Sequence, residues 1–258
     1  MKISKRSCLL LLTLFLISCQ ISPDYSQIRV SEVIDGDTIR LSNGRLLRYI
    51  GLDTPEIRIK DGSEFLYSPQ PYSLEAKEFN QNLVSNKIVR IEFDRERQDR
   101  YGRLLGYCFV DDTFVNAKLI QEGYAVLYTY PPNIKYSEKF LKLSKRARSQ
   151  QKGLWGSLEV IDHSQAGNYI NQIRTVRGRV LDTYKSEKCV YLNFGSDYKK
   201  DFTIVIFNNV ISIFKGEGID PLKFYKGKLV EVTGRIRQYN GAEIIVNSPQ
   251  DIEILPNP

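Results

Sequence analysis

Four carboxylates lie in two short groups near the start of the chain, Asp35 with Asp37 and Asp53 with Glu56. Carboxylates that are brought together repel one another unless a cation lies between them, and a ligand set made only of oxygens favours Ca²⁺ or Mg²⁺. Arg48 lies between the two groups and carries a planar guanidinium that matches phosphate oxygens. The combination is suited to binding and neutralising an anionic ester.

A predicted β-hairpin must bring the two acidic groups together. Residues 28–33 and 38–41 have the composition of strands, and Asn43-Gly44 is a strong signal for a tight turn. Residues 45–52 then return as the partner strand. We therefore expect both acidic groups at the open end of this hairpin.

The turn also predicts a register. A two-residue turn at Asn43-Gly44 places Asp37 opposite Ile50 and Arg48 opposite Ile39. Because directly opposed residues share a face, we expect Asp37 and Arg48 to share the apolar face of the hairpin. The apolar residues of that face would be Ile39, Leu41, Leu46 and Ile50.

Two charges on an apolar face are costly unless they meet a partner, a metal or a ligand. The hairpin alone leaves open a buried salt bridge between Asp37 and Arg48 that merely joins the strands. The second acidic group favours a functional site, since Gly36 and Gly51 allow the backbone to bend and bring the carboxylates together.

Histidine and cysteine content excludes several classes of catalyst. The 258 residues include one histidine, His163, so paired-histidine catalysts and multi-histidine zinc sites are excluded. The four cysteines form no close pair, which argues against a disulfide scaffold and a structural zinc site. We expect Cys108 and Cys189 to be two buried thiols rather than one bridge.

The first residues have the pattern of an export signal. Basic residues precede an apolar stretch that is too short to span a bilayer comfortably, and LISC at 16–19 resembles the bacterial lipobox. We expect residues 1–18 to be removed and Cys19 to carry lipid, followed by a tether over 19–27. A plain signal peptide and an uncleaved anchor are the alternatives. Removal of 1–18 lowers the formal charge from +7 to +4.

Strands and a few helices continue the pattern, so the predicted fold class is mainly β with some α (α+β). Ser73 is placed to cap a helix, and further strands are expected at 88–93 and 104–110. A loop is expected over 58–72. The remaining predicted elements are a short helix at 114–121, an extended segment at 124–128 and a basic helix at 137–152.

Several motifs then follow in one order along residues 28–156: VIDGDT at 33–38, Arg48, LDTPE at 52–56, DRYGR at 99–103, YTYPPN at 128–133 and KGLW at 152–155. Together they resemble the staphylococcal nuclease (thermonuclease) family. The resemblance implies a five-stranded barrel of the OB type. It also implies a Ca²⁺-dependent enzyme that hydrolyses DNA and often RNA to products with 3′-phosphates.

The resemblance also implies a role for each matching residue. Asp37 and Asp53 would bind Ca²⁺ through carboxylates and Thr54 through its carbonyl, with Asp35 close to the cation without binding it directly. Glu56 would be the general base that activates water. Two arginines, Arg48 and Arg103, would clasp the scissile phosphate, and two tyrosines, Tyr128 and Tyr130, would contact the nucleotide.

The chemistry supports these roles independently, because hydrolysis of an anionic phosphodiester first requires neutralisation of its charge. Two guanidinium groups and a divalent cation provide that without histidine. Considered one at a time, some of these residues allow other interpretations. Arg103 could be a solvated loop residue, the two tyrosines could be barrel or edge aromatics, and the basic helix could be a solvated face or a nucleic-acid patch. The 58–72 loop is longer than the family pattern, so no contacts are assigned there.

The rest of the chain predicts a second, smaller unit. Residues 157–169 suggest a linker, and 170–258 contain short strands, one helical patch and a second hairpin signal at Asn240-Gly241. This order fits an OB-like barrel. Its interspersed aromatic and basic residues suit binding of single-stranded nucleic acid, with protein docking or a purely stabilising role as alternatives.

The sequence thus predicts an exported, lipid-tethered, Ca²⁺-dependent and sugar-non-specific endonuclease of the bacterial cell envelope, with residues 28–156 as its nuclease domain. The alternative is a non-catalytic surface lipoprotein that binds nucleic acid. The carboxylate cluster disfavours that alternative, because pure binding of phosphate has no use for negative charges beside it. A surface adhesin is a third reading, which no specific residue supports.

Overall fold

The computed structural model describes residues 24–61 and 64–256. The predicted signal peptide, Cys19 and most of the tether lie outside the described residues. Within the described ranges, no helix combines the length and hydrophobicity needed to cross a bilayer.

The first half of the chain forms a closed barrel of five strands. These are β1 (Ile28–Val33), β2 (Thr38–Leu41), β3 (Leu46–Tyr49), β7 (Ile88–Glu92) and β8 (Leu104–Val110). The sheet order is β3-β2-β1-β7-β8, and parallel pairing of β3 with β8 closes the barrel. The OB-type fold predicted for this region is confirmed.

Smaller elements surround this barrel. Strand β4 (Gly51–Asp53) pairs with β10 (Val126–Tyr128), and β8 also pairs with the short β9 (Thr113–Phe114). The helices are α1 (Ser73–Val84), α2 (Val115–Gln121), α3 (Ser137–Ser149) and α4 (Leu154–Ser157).

Two local predictions for residues 58–73 are wrong. Much of the expected loop is an antiparallel hairpin of β5 (Arg58–Asp61) and β6 (Glu64–Tyr67). Helix α1 begins at Ser73, as predicted, but Ser73 does not cap it. The N-cap is Tyr72 in a left-handed conformation, and the buried Oγ of Ser73 has no hydrogen-bond partner.

The second half contains two further sheets around a separate apolar core. Strands β11 (Val160–Asp162), β12 (Ile173–Arg179), β16 (Leu229–Arg235) and β19 (Ile252–Ile254) form one of them. The other has the order β13-β14-β15-β18-β17. Its strands are β13 (Asp182–Lys185), β14 (Cys189–Asn193), β15 (Thr203–Phe207), β17 (Arg237–Gln238) and β18 (Ala242–Val246).

Helices α5 (Ile211–Gly216) and α6 (Pro221–Phe224) connect β15 to β16. The hairpin predicted at Asn240-Gly241 is confirmed, since β17 and β18 pair across it.

Residues 157–169 contain regular structure where an irregular linker is expected. Strand β11 pairs in parallel with β12, and a 3₁₀ helix covers His163–Tyr169. Ile161 and Ala166 are buried in the core of the second half. The segment is ordered because these apolar side chains pack against that core. Cys108 and Cys189 are buried free thiols, as predicted.

Candidate active site

The first hairpin has a different register from the one that the turn signal predicts. Thr38 lies opposite Arg48, and Ile39 lies opposite Leu47. The Leu41 N–H donates to the Arg45 carbonyl at 2.9 Å, so the loop has three residues and Gly44 adopts a left-handed φ of 82°. This extra residue shifts every pair by one position, and Arg48 therefore does not share the face of Ile39.

Arg48 nevertheless reaches both acidic groups. Its Nη1 donates to Asp37 Oδ1 at 2.7 Å, and its Nη2 donates to Asp53 Oδ1 at 2.7 Å. Asp37 precedes β2 and Asp53 ends β4, so both carboxylates lie near the open end of the hairpin. The guanidinium therefore joins the two acidic groups at this end of the hairpin.

The residues predicted to bind a cation are buried together. Asp37 is 2% exposed, Asp53 6% and Thr54 2%. The Thr54 N–H donates to Asp37 Oδ2 at 3.2 Å, and the hydroxyl of Thr38 donates to Asp37 Oδ1 at 2.8 Å. These bonds hold the carboxylate of Asp37 beside the Asp53-Thr54 segment.

Gly51 positions that segment. Its φ of 88° lies in the left-handed region, and the residue begins β4 directly after the turn from β3. A Cβ at this position would lie 2.5 Å from the ring of Phe140 on α3. Only glycine fits both the conformation and the contact, so the chain turns here and carries Asp53 to the end of the barrel.

The pKa values of the carboxylates in the site are shifted in different directions. Burial alone would raise the pKa of Asp53, but the charges of Arg235 and Arg48 hold it below its usual value. Burial raises the pKa of Glu56. Burial, together with the charges of Asp37 and Glu56, raises the pKa of Asp35 to about 8. Asp35 accepts the Asp37 N–H at 3.0 Å, which places it beside the cluster.

Arg235 is a site residue that the sequence did not reveal. Its Nη2 donates to the Thr54 carbonyl at 2.7 Å, and its Nε lies 2.9 Å from Asp53 Oδ2. It also lies 3.5 Å from Glu56 Oε1. Arg235 ends β16 in the second half, 182 residues after Asp53, and no local pattern distinguishes it from other arginines of that half.

Arg103 lies at the edge of this arrangement. Because Leu47 pairs with Leu104, Arg103 directly precedes the strand beside that of Arg48. Its Nε donates to Asp99 Oδ2 at 2.7 Å. Burial alone would raise the pKa of Asp99, but hydrogen bonds from the side chain and backbone of Arg103 lower it overall. In the described structure, the ion pair of Arg103 is thus with Asp99 and not with the central carboxylates.

The two predicted nucleotide-contacting tyrosines have different surroundings. The hydroxyl of Tyr128 accepts a hydrogen bond from Arg237 Nη2 at 3.2 Å, so this ring meets the second half of the chain. Tyr130 is 47% exposed. Tyr130 is therefore the more accessible of the two.

The residues that could hold a hard cation are two carboxylates and one carbonyl. Among residues 24–61 and 64–256, no cluster of three or more His, Cys, Asp or Glu residues is arranged as a metal site. Asp37, Asp53 and the Thr54 carbonyl supply oxygen ligands only, the type that Ca²⁺ prefers. The Arg235 guanidinium already brings positive charge to two of these three residues, so they fit a cation.

Known proteins are similar in sequence to the half of the chain that contains this site. The Staphylococcal nuclease homologue family matches residues 46–157. The thermonuclease of Staphylococcus hyicus is 39% identical over 132 residues, which cover 50% of this chain and 75% of that protein. The thermonuclease of Staphylococcus intermedius is 40% identical over 129 residues, 49% of this chain and 74% of that protein.

A Bacillus subtilis (strain 168) relative, the SPbeta prophage-derived endonuclease YokF, is 38% identical over 133 residues. That match spans 50% of this chain and 43% of YokF. The barrel, its arginines and its carboxylates, together with these relatives, define a hydrolytic nuclease. The chain belongs to the staphylococcal nuclease family.

Proposed function

We propose that the protein is a Ca²⁺-dependent, sugar-non-specific endonuclease that cleaves DNA and RNA to 3′-phosphate products. The observation that carries the proposal is the convergence of Asp37, Asp53 and Thr54 on one buried spot beside Arg48. An inert binding protein would gain nothing from buried carboxylates beside a phosphate site.

Asp37, Asp53 and the Thr54 carbonyl would hold Ca²⁺. A bound divalent cation supplies charge stabilisation to a phosphoryl oxygen and makes a bound water more acidic. Asp35 lies beside these ligands without binding the cation and braces Asp37 through the backbone hydrogen bond.

Glu56 accepts the proton of the attacking water. Its side chain is 39% exposed and can reach a water molecule, and partial burial raises the pKa of its carboxyl above the usual value. A raised pKa strengthens a carboxylate as a base near neutral pH. Arg48 and Arg103 bind the phosphate oxygens and stabilise the added charge of the transition state.

The test is cleavage of plasmid DNA and of RNA by the mature chain, with Ca²⁺ and with a chelator. We expect both substrates to be cut only with the metal, with 3′-phosphates on the products. Equal cleavage in chelator would overturn the Ca²⁺ dependence, and intact RNA would overturn sugar non-specificity. Tight binding of both substrates without any cleavage would favour the non-catalytic alternative.

We also propose that 28–156 is the nuclease domain and that 170–258 form an OB-like domain that binds single-stranded nucleic acid. A groove of about 490 Å³ in the second half is lined by Tyr184, Tyr191, Tyr198 and Tyr239. Three of these rings are well exposed, at 61%, 57% and 77% for Tyr184, Tyr198 and Tyr239. Exposed tyrosines offer stacking surfaces for bases.

The groove is tested by replacing two of its rings. Tyr184→Ala with Tyr239→Ala should lower affinity for long single strands while turnover on short oligonucleotides is kept. Tyr184→Phe with Tyr239→Phe, which retains both rings, is the matched control. Unchanged affinity for long strands would favour a docking or stabilising role.

Finally, we propose that the protein is exported and anchored to the envelope membrane by lipid on Cys19. The support is the lipobox at the end of the apolar stretch. Cys19→Ser should abolish lipidation and remove the protein from the detergent phase in a phase-separation assay. Unchanged partitioning of this variant would contradict the anchor.

A further inference from the structure

Arg235 occupies the oxygens that the proposed function assigns to Ca²⁺. Its guanidinium contacts Asp53 Oδ2 at 2.9 Å and the Thr54 carbonyl at 2.7 Å. The other oxygen of Asp53 accepts from Arg48, so both oxygens of this carboxylate are bound by arginines. The side chain of Arg235 is only 14% exposed, which shows that it is inserted between the two halves of the chain.

Further contacts hold Arg235 in this position. Its Nη1 donates to the Asn171 carbonyl at 2.7 Å, and the Gln70 side chain donates to the same carbonyl at 2.7 Å. Gln70 also accepts the Glu56 N–H at 3.0 Å. Through Asn171 and Gln70, the strand end that carries Arg235 is thus joined to the backbone of Glu56, which follows the predicted ligands Asp53 and Thr54.

A second set of contacts joins the halves away from the site. Arg148 on α3 pairs with Glu231 at 2.7 Å and with Glu253 at 2.9 Å. Val126, Leu154 and Ile173 form a small apolar cluster from both halves. The two halves are therefore packed together with Arg235 at the site.

A guanidinium and a divalent cation cannot share the same two oxygens, because they fill the same space and their positive charges repel. One of them must leave when the other binds. In a buried site this competition is strong, since little solvent screens the charges. Binding of the cation and insertion of Arg235 are therefore mutually exclusive states of Asp53 and Thr54.

We propose that the second half of the chain is a built-in inhibitor that closes the nuclease site with Arg235 and competes with Ca²⁺. This inference rests on the proposed function, since it requires that Asp53 and Thr54 bind the cation. Withdrawal of Arg235 opens the site. By thermodynamic reciprocity, Ca²⁺ that favours the open state must weaken the contact between the halves by the same factor.

The first experiment measures Ca²⁺ binding to the full mature chain by titration calorimetry, without substrate. Arg235→Ala and the bulkier neutral Arg235→Gln should each bind Ca²⁺ about tenfold more tightly than wild type, within the usual range for coupled sites. Lys226→Ala is the matched control, because Lys226 pairs with Asp182 at the surface and touches neither the site nor the interface. Circular dichroism shows that each variant is folded.

The second experiment loosens the interface at a distance from the site. Arg148→Ala keeps Arg235 but removes two ion pairs between the halves, so it should also tighten Ca²⁺ binding, by a smaller factor. Small-angle scattering of wild type should show a larger radius of gyration with Ca²⁺ than with chelator.

The outcomes separate this inference from the proposed function. Ca²⁺ binding that Asp53→Asn abolishes but both Arg235 variants leave unchanged would overturn the inhibitor and leave the metal site standing. A loss of turnover in Arg235→Ala at unchanged Ca²⁺ affinity would also overturn it and make Arg235 a substrate-binding residue. Absence of Ca²⁺ binding in wild type and in both Arg235 variants would overturn both proposals.

Discussion

Arg48 and Asp53 lie five residues apart and form a 2.7 Å ion pair across a left-handed glycine. The pair depends on the sharp change of direction at Gly51, which lets an arginine of β3 meet a carboxylate of β4. The same arginine also holds Asp37 at 2.7 Å. The geometry of the cluster therefore depends on a residue that carries no side chain.

Gly51→Ala should destabilise the protein and disrupt the cluster. Left-handed strain and the clash with Phe140 together should cost about 2–4 kcal/mol in the free energy of unfolding. Gly44→Ala is the matched control. Its φ of 82° is similar, but nothing lies within 4 Å of the added Cβ, so it should cost only about 1 kcal/mol. Urea unfolding measures both, and equal losses would contradict the role of the Phe140 contact.

Arg103→Ala should lower the rate of phosphodiester cleavage and leave Ca²⁺ binding almost unchanged. Because Arg103 is paired with Asp99 and not with the central carboxylates, Ca²⁺ affinity should change little. Turnover should fall by about 10²–10³, the usual loss for one transition-state donor. The measurement is cleavage of a fluorescent oligonucleotide in saturating Ca²⁺. Arg100→Ala in the same loop is the control, and near wild-type turnover of Arg103→Ala would make Arg103 a loop charge only.

Glu56→Gln should retain the size and shape of the side chain but remove the carboxylate that accepts the proton. Substrate and Ca²⁺ should still bind, since Glu56 is not among the predicted ligands, whereas the rate should fall by about 10²–10⁴. Single-turnover cleavage with separate binding measurements checks this. A variant with normal rate and weakened Ca²⁺ binding would instead make Glu56 a ligand.

Asp99→Asn should make the free energy of unfolding less dependent on pH in the acid range. The folded-state pKa of Asp99 lies below its unfolded value, so its contribution to stability is present above the unfolded pKa and lost as pH falls through the folded pKa. We expect wild type to exceed the variant by about 1 kcal/mol at pH 6 and by less at pH 2.5. Thermal unfolding at both pH values measures this, and a difference independent of pH would contradict it.

Local patterns in the sequence sufficed for much of the barrel and for the meeting of the two acidic groups. The bounds of β1, β2 and β8 agree with the prediction, because alternation of apolar residues and turn signals act over a few residues. The convergence of Asp37, Asp53 and Thr54 also agrees, since it follows from one hairpin and its bend. The cation that these residues would hold stays a prediction.

Tertiary structure decided the rest. The register of Arg48 depended on a loop of three residues instead of two, a choice that Asn43-Gly44 does not settle by itself. Strands β5 and β6 pair with each other where the sequence predicts a loop. Arg235 entered the site from 182 residues away. Such a contact depends on how the cores of the two halves pack against each other. That packing involves residues far apart in the chain, so no short stretch of sequence predicts the contact.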